Sequence, residues 1–200
     1  MAPSFVFDGN LLCLDFLNTR LIREGVEADL LDGPAALVAW VDAAQYAGLM
    51  GAGGAMESGA RAGNADYERA LRLRRAIRAV ADAALAGEDA PEQSVAEINA
   101  AAARTPVVIQ AEPMAGGWAQ VRVPLKGGAD GALSEVARSA LELLTDLDAG
   151  RVGRCAHTDC VLYFYDTTRN RSRRWCSMER CGNRAKVAAH YRRQRAGTAD

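Results

Sequence analysis

The 200-residue sequence has only two histidines, His157 and His190, so its first 150 residues have none. Cys13 therefore has no nearby base in sequence to activate it and reads as a small buried apolar residue. No run approaches the ~20 consecutive apolar residues that a membrane span needs. The opening Met1–Asp8 has no basic region ahead of an apolar stretch, so no secretory leader is expected and the cytoplasm is the expected compartment. There is no G-x-x-x-x-G-K-[ST], no H-E-x-x-H and no Ser/His/acid set, so no enzymatic activity is expected. Aromatic residues make up only 6% of the chain. With half of the residues apolar, however, there is enough material for a packed core.

The formal net charge of −1 conceals a split. Residues 1–150 hold 12 Lys+Arg against 21 Asp+Glu, a net of −9, while residues 151–200 hold 12 against 4, a net of +8. Such asymmetry points to a polyanion-facing end on an otherwise acidic protein. Nearly all the cations are arginine, since Lys126 and Lys186 are the only lysines. Cysteine is also unevenly placed: Cys13 stands alone, and Cys155, Cys160, Cys176 and Cys181 share the basic tail. Both asymmetries place the chemistry in the last quarter.

Hydrophobic periodicity organises the first 150 residues. Asp8-Gly9-Asn10 signals a turn, with Asn10 as a helix cap, and Leu12, Phe16 and Thr19 share a helical face. Pro34 suits the first position of a helix running to about residue 47, with Leu37, Trp40, Val41 and Ala44 inward. Residues 48–64 contain six glycines and read as a mobile loop. Asp66 can cap a long helix ending at Gly87, whose buried stripe is Leu73, Ile77, Val80 and Ala84. A shorter helix follows Pro91, with Val95, Ile98 and Ala102 inward. Val107-Val108-Ile109 and the alternating Ala119, Val121, Val123 and Leu125 predict a hairpin turning at 115–117. Residues 132–148 form one more helix, closed by Gly150. The expected fold class is α+β: a mainly helical N-terminal domain with a β-hairpin over 1–150, a small treble-clef-like zinc finger over 151–196, and a short tail over 197–200.

In the tail, Cys155 and Cys160 form one short loop and Cys176 and Cys181 another, separated by fifteen residues. Two such loops bring four soft thiolates to one tetrahedral Zn²⁺ and leave no open coordination position, which makes the metal structural. Two disulfides would use the same residues, but they rarely persist in the cytosol, and iron–sulfur clusters usually show other spacings. Val161–Tyr165 predicts a strand, Asp166–Ser172 a polar turn, Arg173-Arg174-Trp175 a returning segment, and Arg184 to about Arg195 a helix. Val187 and Tyr191 are expected to pack on the hairpin. Zinc would stabilise a segment with too small a core of its own by about 10–16 kcal/mol.

The run Asp166-Thr167-Thr168-Arg169-Asn170-Arg171-Ser172, continuing to Cys181-Gly182-Asn183-Arg184, resembles the signature of the CGNR zinc-finger family. Leu14-Asp15-Phe16-Leu17-Asn18-Thr19 resembles the start of the ABATE domain, the usual N-terminal partner of that finger. Together the two resemblances span nearly the whole chain. They imply four cysteine ligands to zinc and a bacterial transcription regulator whose finger binds DNA. Thr168 departs from the serine expected there but keeps the hydroxyl.

Arg169, Arg171, Arg173, Arg174, Arg184, Lys186, Arg192 and Arg193 are the candidate nucleic-acid contacts, through phosphate attraction and base readout. A solvated basic surface, or one ion-paired with the acidic domain, is the alternative. Arg184 could instead bond knuckle carbonyls, and Trp175 could be core or a stacking platform. His157 and His190 are weaker metal-ligand candidates. Asp15 and Asn18 lie in an apolar stretch, where a carboxylate needs partners; they could form a pocket for a small-molecule effector or a helix-end network. The leading reading is a regulator that binds DNA through its finger, with the N-terminal domain sensing a ligand or mediating homo-oligomeric association. An RNA-binding or protein-interaction zinc module is the alternative.

Overall fold

The computed structural model describes residues 5–50 and 61–197. Ten residues of the glycine-rich stretch, 51–60, lie outside that range, and so does most of the loop expected over 48–64, whose last residue, Asn64, already begins a helix. In chain order the elements are α1 (Leu12–Leu17), β1 (Arg20–Arg23), β2 (Val26–Asp29), α2 (Pro34–Tyr46), α3 (Asn64–Ala86), α4 (Glu92–Ala103), β3 (Val107–Met114), β4 (Gly117–Pro124), α5 (Gly128–Thr145), β5 (Val152–Arg154), β6 (Tyr163–Tyr165) and α6 (Asn183–Gly197). The strands form three separate antiparallel pairs, β1–β2, β3–β4 and β5–β6. The architecture is α+β and mainly helical, as the periodicity implies.

Every residue of the short helix α1 is buried, so the fold is built around it. Phe16 meets Trp40 of α2 with ring centroids 4.8 Å apart, and both side chains are fully buried. Leu73, Ile77 and Val80 of α3 and Val136, Ala140 and Leu143 of α5 close the same core. Burying each large side chain in it is worth about 1.5–3 kcal/mol. Helix α3 begins one turn earlier than a cap at Asp66 would give. Gly63 is the cap residue, and its N–H donates to Asp66 at 2.7 Å. Gly87 ends that helix at φ 69°, a left-handed conformation open to glycine. Helix α5 ends at Thr145, ahead of Gly150.

Two local expectations change. Asn10 does not cap α1: its φ is 61°, Leu11 is the cap residue, and the Asn10 amide donates instead to the Tyr165 carbonyl at 3.0 Å. The β1–β2 hairpin was not expected; it turns at Glu24 (φ 53°) and Gly25 (φ 82°), a pairing that suits tight hairpins.

Strand β6 joins the two parts of the chain. Tyr163 and Tyr165 belong to the core that holds α1 and α3, while Phe164 belongs to a second cluster with Leu21, Leu162, Cys155, Cys176 and Cys181. Both faces of Tyr163-Phe164-Tyr165 are therefore buried, because each serves a different core. The partner of β6 is β5, which precedes the first cysteine loop, and not the segment 173–175. The hairpin thus encloses the first loop instead of lying between the two. Gly153 allows this pairing, since a Cβ there would lie 2.4 Å from the Phe164 ring.

Helix α6 departs most from expectation. Val187 is 54% exposed and does not pack on the hairpin, and Asn183, Arg184, Lys186, Ala188 and His190 are exposed around it. The Tyr191, Arg192 and Arg193 side chains lie outside the described groups. The low apolar content of α6 accounts for this: its sequence NRAKVAAHYRRQRAG offers no stripe wide enough to bury.

Candidate metal centre, basic surface and cavity

The backbone brings the four cysteines together. Cys155 follows β5, where its N–H donates to the Leu162 carbonyl at 2.9 Å, and Ala156 N–H donates to Arg174 O at 2.9 Å. A turn closes the first loop through Cys160 N–H to His157 O at 3.1 Å. In the second loop, Cys181 and Gly182 both donate to Ser177 O at 3.0 Å. A Cβ at Gly182 would sit 2.5 Å from the Met178 sulfur, so a side chain there would have to displace the end of Met178.

The sulfur ligand atoms all lie within 4.8 Å of one another. Cys160 Sγ is 3.7 Å from Cys176 Sγ, which is 3.5 Å from Cys181 Sγ. Tetrahedral Zn²⁺ with Zn–S bonds of about 2.3 Å sets its sulfurs about 3.8 Å apart. A disulfide needs about 2.05 Å, and all five cysteines are free thiols. Cys160 and Cys176 also oppose one another. A hydrogen bond from Cys176 holds Cys160 down at about 5, while the same bond and burial push Cys176 far above the ordinary thiol range. A dication removes the conflict by taking all four as thiolates. Cys155, Cys160, Cys176 and Cys181 therefore form one structural zinc site. His157 is not part of it, since its Nδ1 accepts from Asp159 N–H at 3.1 Å.

The arginines around this centre differ in role. Arg173 is half-buried and turned inward. Its guanidinium donates to the Trp175, Tyr165, Asp8 and Cys176 carbonyls and lies over the Phe164 ring. Arg171 donates to Asp148 at 2.5 Å, and Arg180, which charge counting did not single out, pairs with Asp8. Arg184 donates to Arg180 O at 2.9 Å and to Cys181 Sγ at 3.3 Å, so it closes the second loop and also carries charge outward. Arg169, Arg174 and Lys186 are exposed, with Arg174 stacked on the half-buried Trp175. Arg192 and Arg193 lie on α6. Asp166 shapes the turn before them. It accepts from Thr168 N–H and Oγ1–H at 2.7 and 2.6 Å and from Arg173 N–H at 2.9 Å, so threonine at 168 does the work of serine.

Asp15 and Asn18 separate in role. Asn18 exchanges hydrogen bonds with the Tyr163 backbone and does not line the cavity that Asp15 lines. Asp15 lies at the floor of a cavity of about 570 Å³ walled by Phe7, Leu11, Leu49, Val107, Arg122 and Arg138. One Asp15 oxygen accepts from Gly9 N–H at 2.7 Å; the other is buried with no hydrogen-bond partner among the described residues. Burial pushes this carboxyl up to about 7, against the opposing pull of the Gly9 bond and Arg173. From about pH 4 to 7 the folded chain thus holds a proton that the unfolded chain has lost, so rising pH erodes stability until the loss is complete above about 7. Asp15→Asn is expected to remove up to about 4 kcal/mol of that pH dependence. Urea unfolding of both proteins from pH 5 to 8 checks this, and equal slopes would refute it. Cys13 is fully buried and pushed up to about 12 by that burial, as suits a packing residue.

Residues 10–147 match the family model ABATE, described as a putative stress-induced transcription regulator, and residues 151–194 match that of the CGNR zinc finger. No curated protein matches the chain. No helix among the described residues is long and apolar enough to cross a membrane.

Proposed function

The chain belongs to the ABATE family and ends in a CGNR zinc finger, and from that premise we propose that it is a cytoplasmic, non-catalytic regulator that binds DNA through the finger. The exposure of α6 carries this reading. The helix starts on the zinc-held loop, and Asn183, Arg184, Lys186, Val187 and Ala188 in its first half are exposed. A helix fixed at one end by metal and exposed in its first turns is suited to a groove or a line of phosphates. Arg169 and Arg174 extend the cationic surface, and the closed four-thiolate site leaves the metal no open position for chemistry.

The N-terminal domain supplies regulation in this proposal. The cavity over Asp15 receives a small molecule with an apolar body and an N–H donor or cationic end, which would answer the unpartnered carboxylate oxygen. The route to the finger is short. Asp15 holds Gly9 N–H, Gly9 O accepts from Tyr165 N–H at 2.8 Å, and Asp8 O accepts from Arg173.

Fluorescence anisotropy of the zinc-loaded chain on mixed-sequence duplex DNA tests the reading. Affinity should fall with salt at a log–log slope of about −0.9 per phosphate contact. Lys186→Ala should weaken binding to all sequences and lower the slope by about 0.9. Absence of binding at low salt would overturn it, and tighter binding to single-stranded RNA would move the proposal to RNA. The ion pairs Arg180–Asp8 and Arg171–Asp148 favour a second reading, a protein-interaction module, because they already spend part of the basic charge within the chain.

A further inference from the structure

The β3–β4 arm presents large apolar side chains to solvent. Ile109, Met114 and Trp118 are 65%, 59% and 72% exposed on it. It joins no larger sheet among the described residues. Eight-residue strands reach about 27 Å. A lone two-stranded ribbon is marginal in water, and its open edges are templates for another strand.

The two edges are not equivalent. Leu125 N–H donates to Pro106 O at 2.8 Å, one step below the Val107–Pro124 pair. Antiparallel alternation from that bond turns the backbone groups of Val108, Gln110 and Glu112 toward those of Val123, Val121 and Ala119. The outward groups of β3 then belong to Val107, Ile109, Ala111 and Pro113; the proline, which has no N–H to give, lies near the tip, and the donors run down to Val107, which lines the cavity against α5. Those of β4 belong to Trp118, Gln120, Arg122 and Pro124, so its proline lies at the base and its three donors run on from the free tip of the arm.

We propose that the chain forms a two-fold dimer through the β4 edge, antiparallel to a second copy, with Gln120 on the dyad. In this register Gln120 faces its own copy, and Trp118 of each chain lies opposite Arg122 of the other. The three pairs make about six backbone hydrogen bonds. Arg122 is the only charge on β4, and it meets an aromatic ring instead of itself. Glu142, 2.7 Å from Arg122 within the same chain, holds that guanidinium at the base of the arm. Sliding the register toward the base brings Pro124, which has no N–H, into a bonding position. Sliding it the other way runs the strands into the turn at Gly116, where φ is 90°. The resulting four-stranded sheet covers the edge that each arm leaves open and brings two fingers into one assembly.

Sedimentation velocity on the zinc-loaded full chain, up to about 100 µM, should show a dimer. Gln120→Pro removes an outward N–H while sparing the β3–β4 ladder, and should weaken dimerisation at least about tenfold at unchanged zinc content. Gln120→Cys should become covalently linked under mild oxidation, because directly bonded strand partners sit about 5.5 Å apart at Cα. Ala111→Cys, on the opposite edge, should not. A wild-type chain that stays monomeric throughout, or linkage of Ala111→Cys as readily as of Gln120→Cys, would overturn the proposal.

Discussion

Cys176→Ser is expected to abolish zinc retention and to unfold more than the finger. Cys176 lies between Cys160 and Cys181 and is buried at 1% exposure, so the hydroxyl would leave a three-sulfur site with no compensating ligand. Structural zinc in small fingers binds with about 10–16 kcal/mol at neutral pH, a free energy that is coupled to folding. The loss should not stop at residue 151. Tyr163 and Tyr165 contribute to the core around α1, and Tyr163 Oη donates to Asp82 of α3 at 2.6 Å. Unfolding the finger therefore withdraws two aromatic side chains from the N-terminal core. The expected result is less than one-tenth of an equivalent of zinc after dialysis, a lower melting temperature for the whole chain, and rapid hydrogen exchange at residues 163–165. Chelation of the wild-type protein should reproduce all three. A variant that keeps one zinc and slow exchange would refute the structural role.

The zinc site was legible because ligand chemistry is written into local spacing: two short cysteine loops need only a return of the chain to meet. The identity of the hairpin was not. Sequence does not choose the partner of Tyr163–Tyr165, since Val152–Arg154 and the returning Arg173–Trp175 stand at comparable distances and only tertiary packing chooses between them. Packing chose β5 because Asp166 folds the following turn onto its own carboxylate and leaves the next segment without a ladder. The arginines show the same limit. Composition marks the tail as cationic, but it does not distinguish Arg173, spent on four backbone carbonyls, from Arg169, which is exposed.

In the N-terminal domain, the long helices were legible wherever a wide apolar stripe existed, as in α3 and α5. The β3–β4 hairpin followed from alternation and its glycines. The β1–β2 hairpin is not legible in the sequence because each strand has four residues, too few for a clear period, and because Glu24-Gly25 is a weaker turn signal than Asn-Gly. Helix α6 misled in the opposite direction. Val187 and Tyr191 lie four residues apart and suggest a packed face, yet helical spacing alone does not supply a surface to pack against, and Val187 remains exposed.

Asn18→Ala is expected to destabilise the fold by about 2–5 kcal/mol, the cost of leaving two buried backbone groups unpaired. Asn18 Oδ1 accepts from Tyr163 N–H at 2.8 Å, and Asn18 Nδ2 donates to Tyr163 O at 2.9 Å. The side-chain amide thus replaces the neighbouring strand that β6 lacks on that side. Its carboxamide is the one group that offers donor and acceptor at this spacing from so short a stem. Asp at this position would keep the acceptor, lose the donor and set a charge against the Tyr163 carbonyl, so Asn18→Asp should be at least as damaging near neutral pH. Set against a typical total stability of 5–15 kcal/mol, either loss is large. Urea unfolding should show a lower midpoint at unchanged slope, with the Tyr163 amide exchanging early. A loss below about 1 kcal/mol would mean that water satisfies the Tyr163 backbone in place of the amide. Because Asn18 joins α1 to β6 while the zinc ligands lie on the opposite side of that strand, Asn18→Ala should loosen the finger from the core before it releases metal. In that case zinc content at low denaturant would stay near one equivalent while β6 exchanges freely, which is the reverse of the order expected for Cys176→Ser.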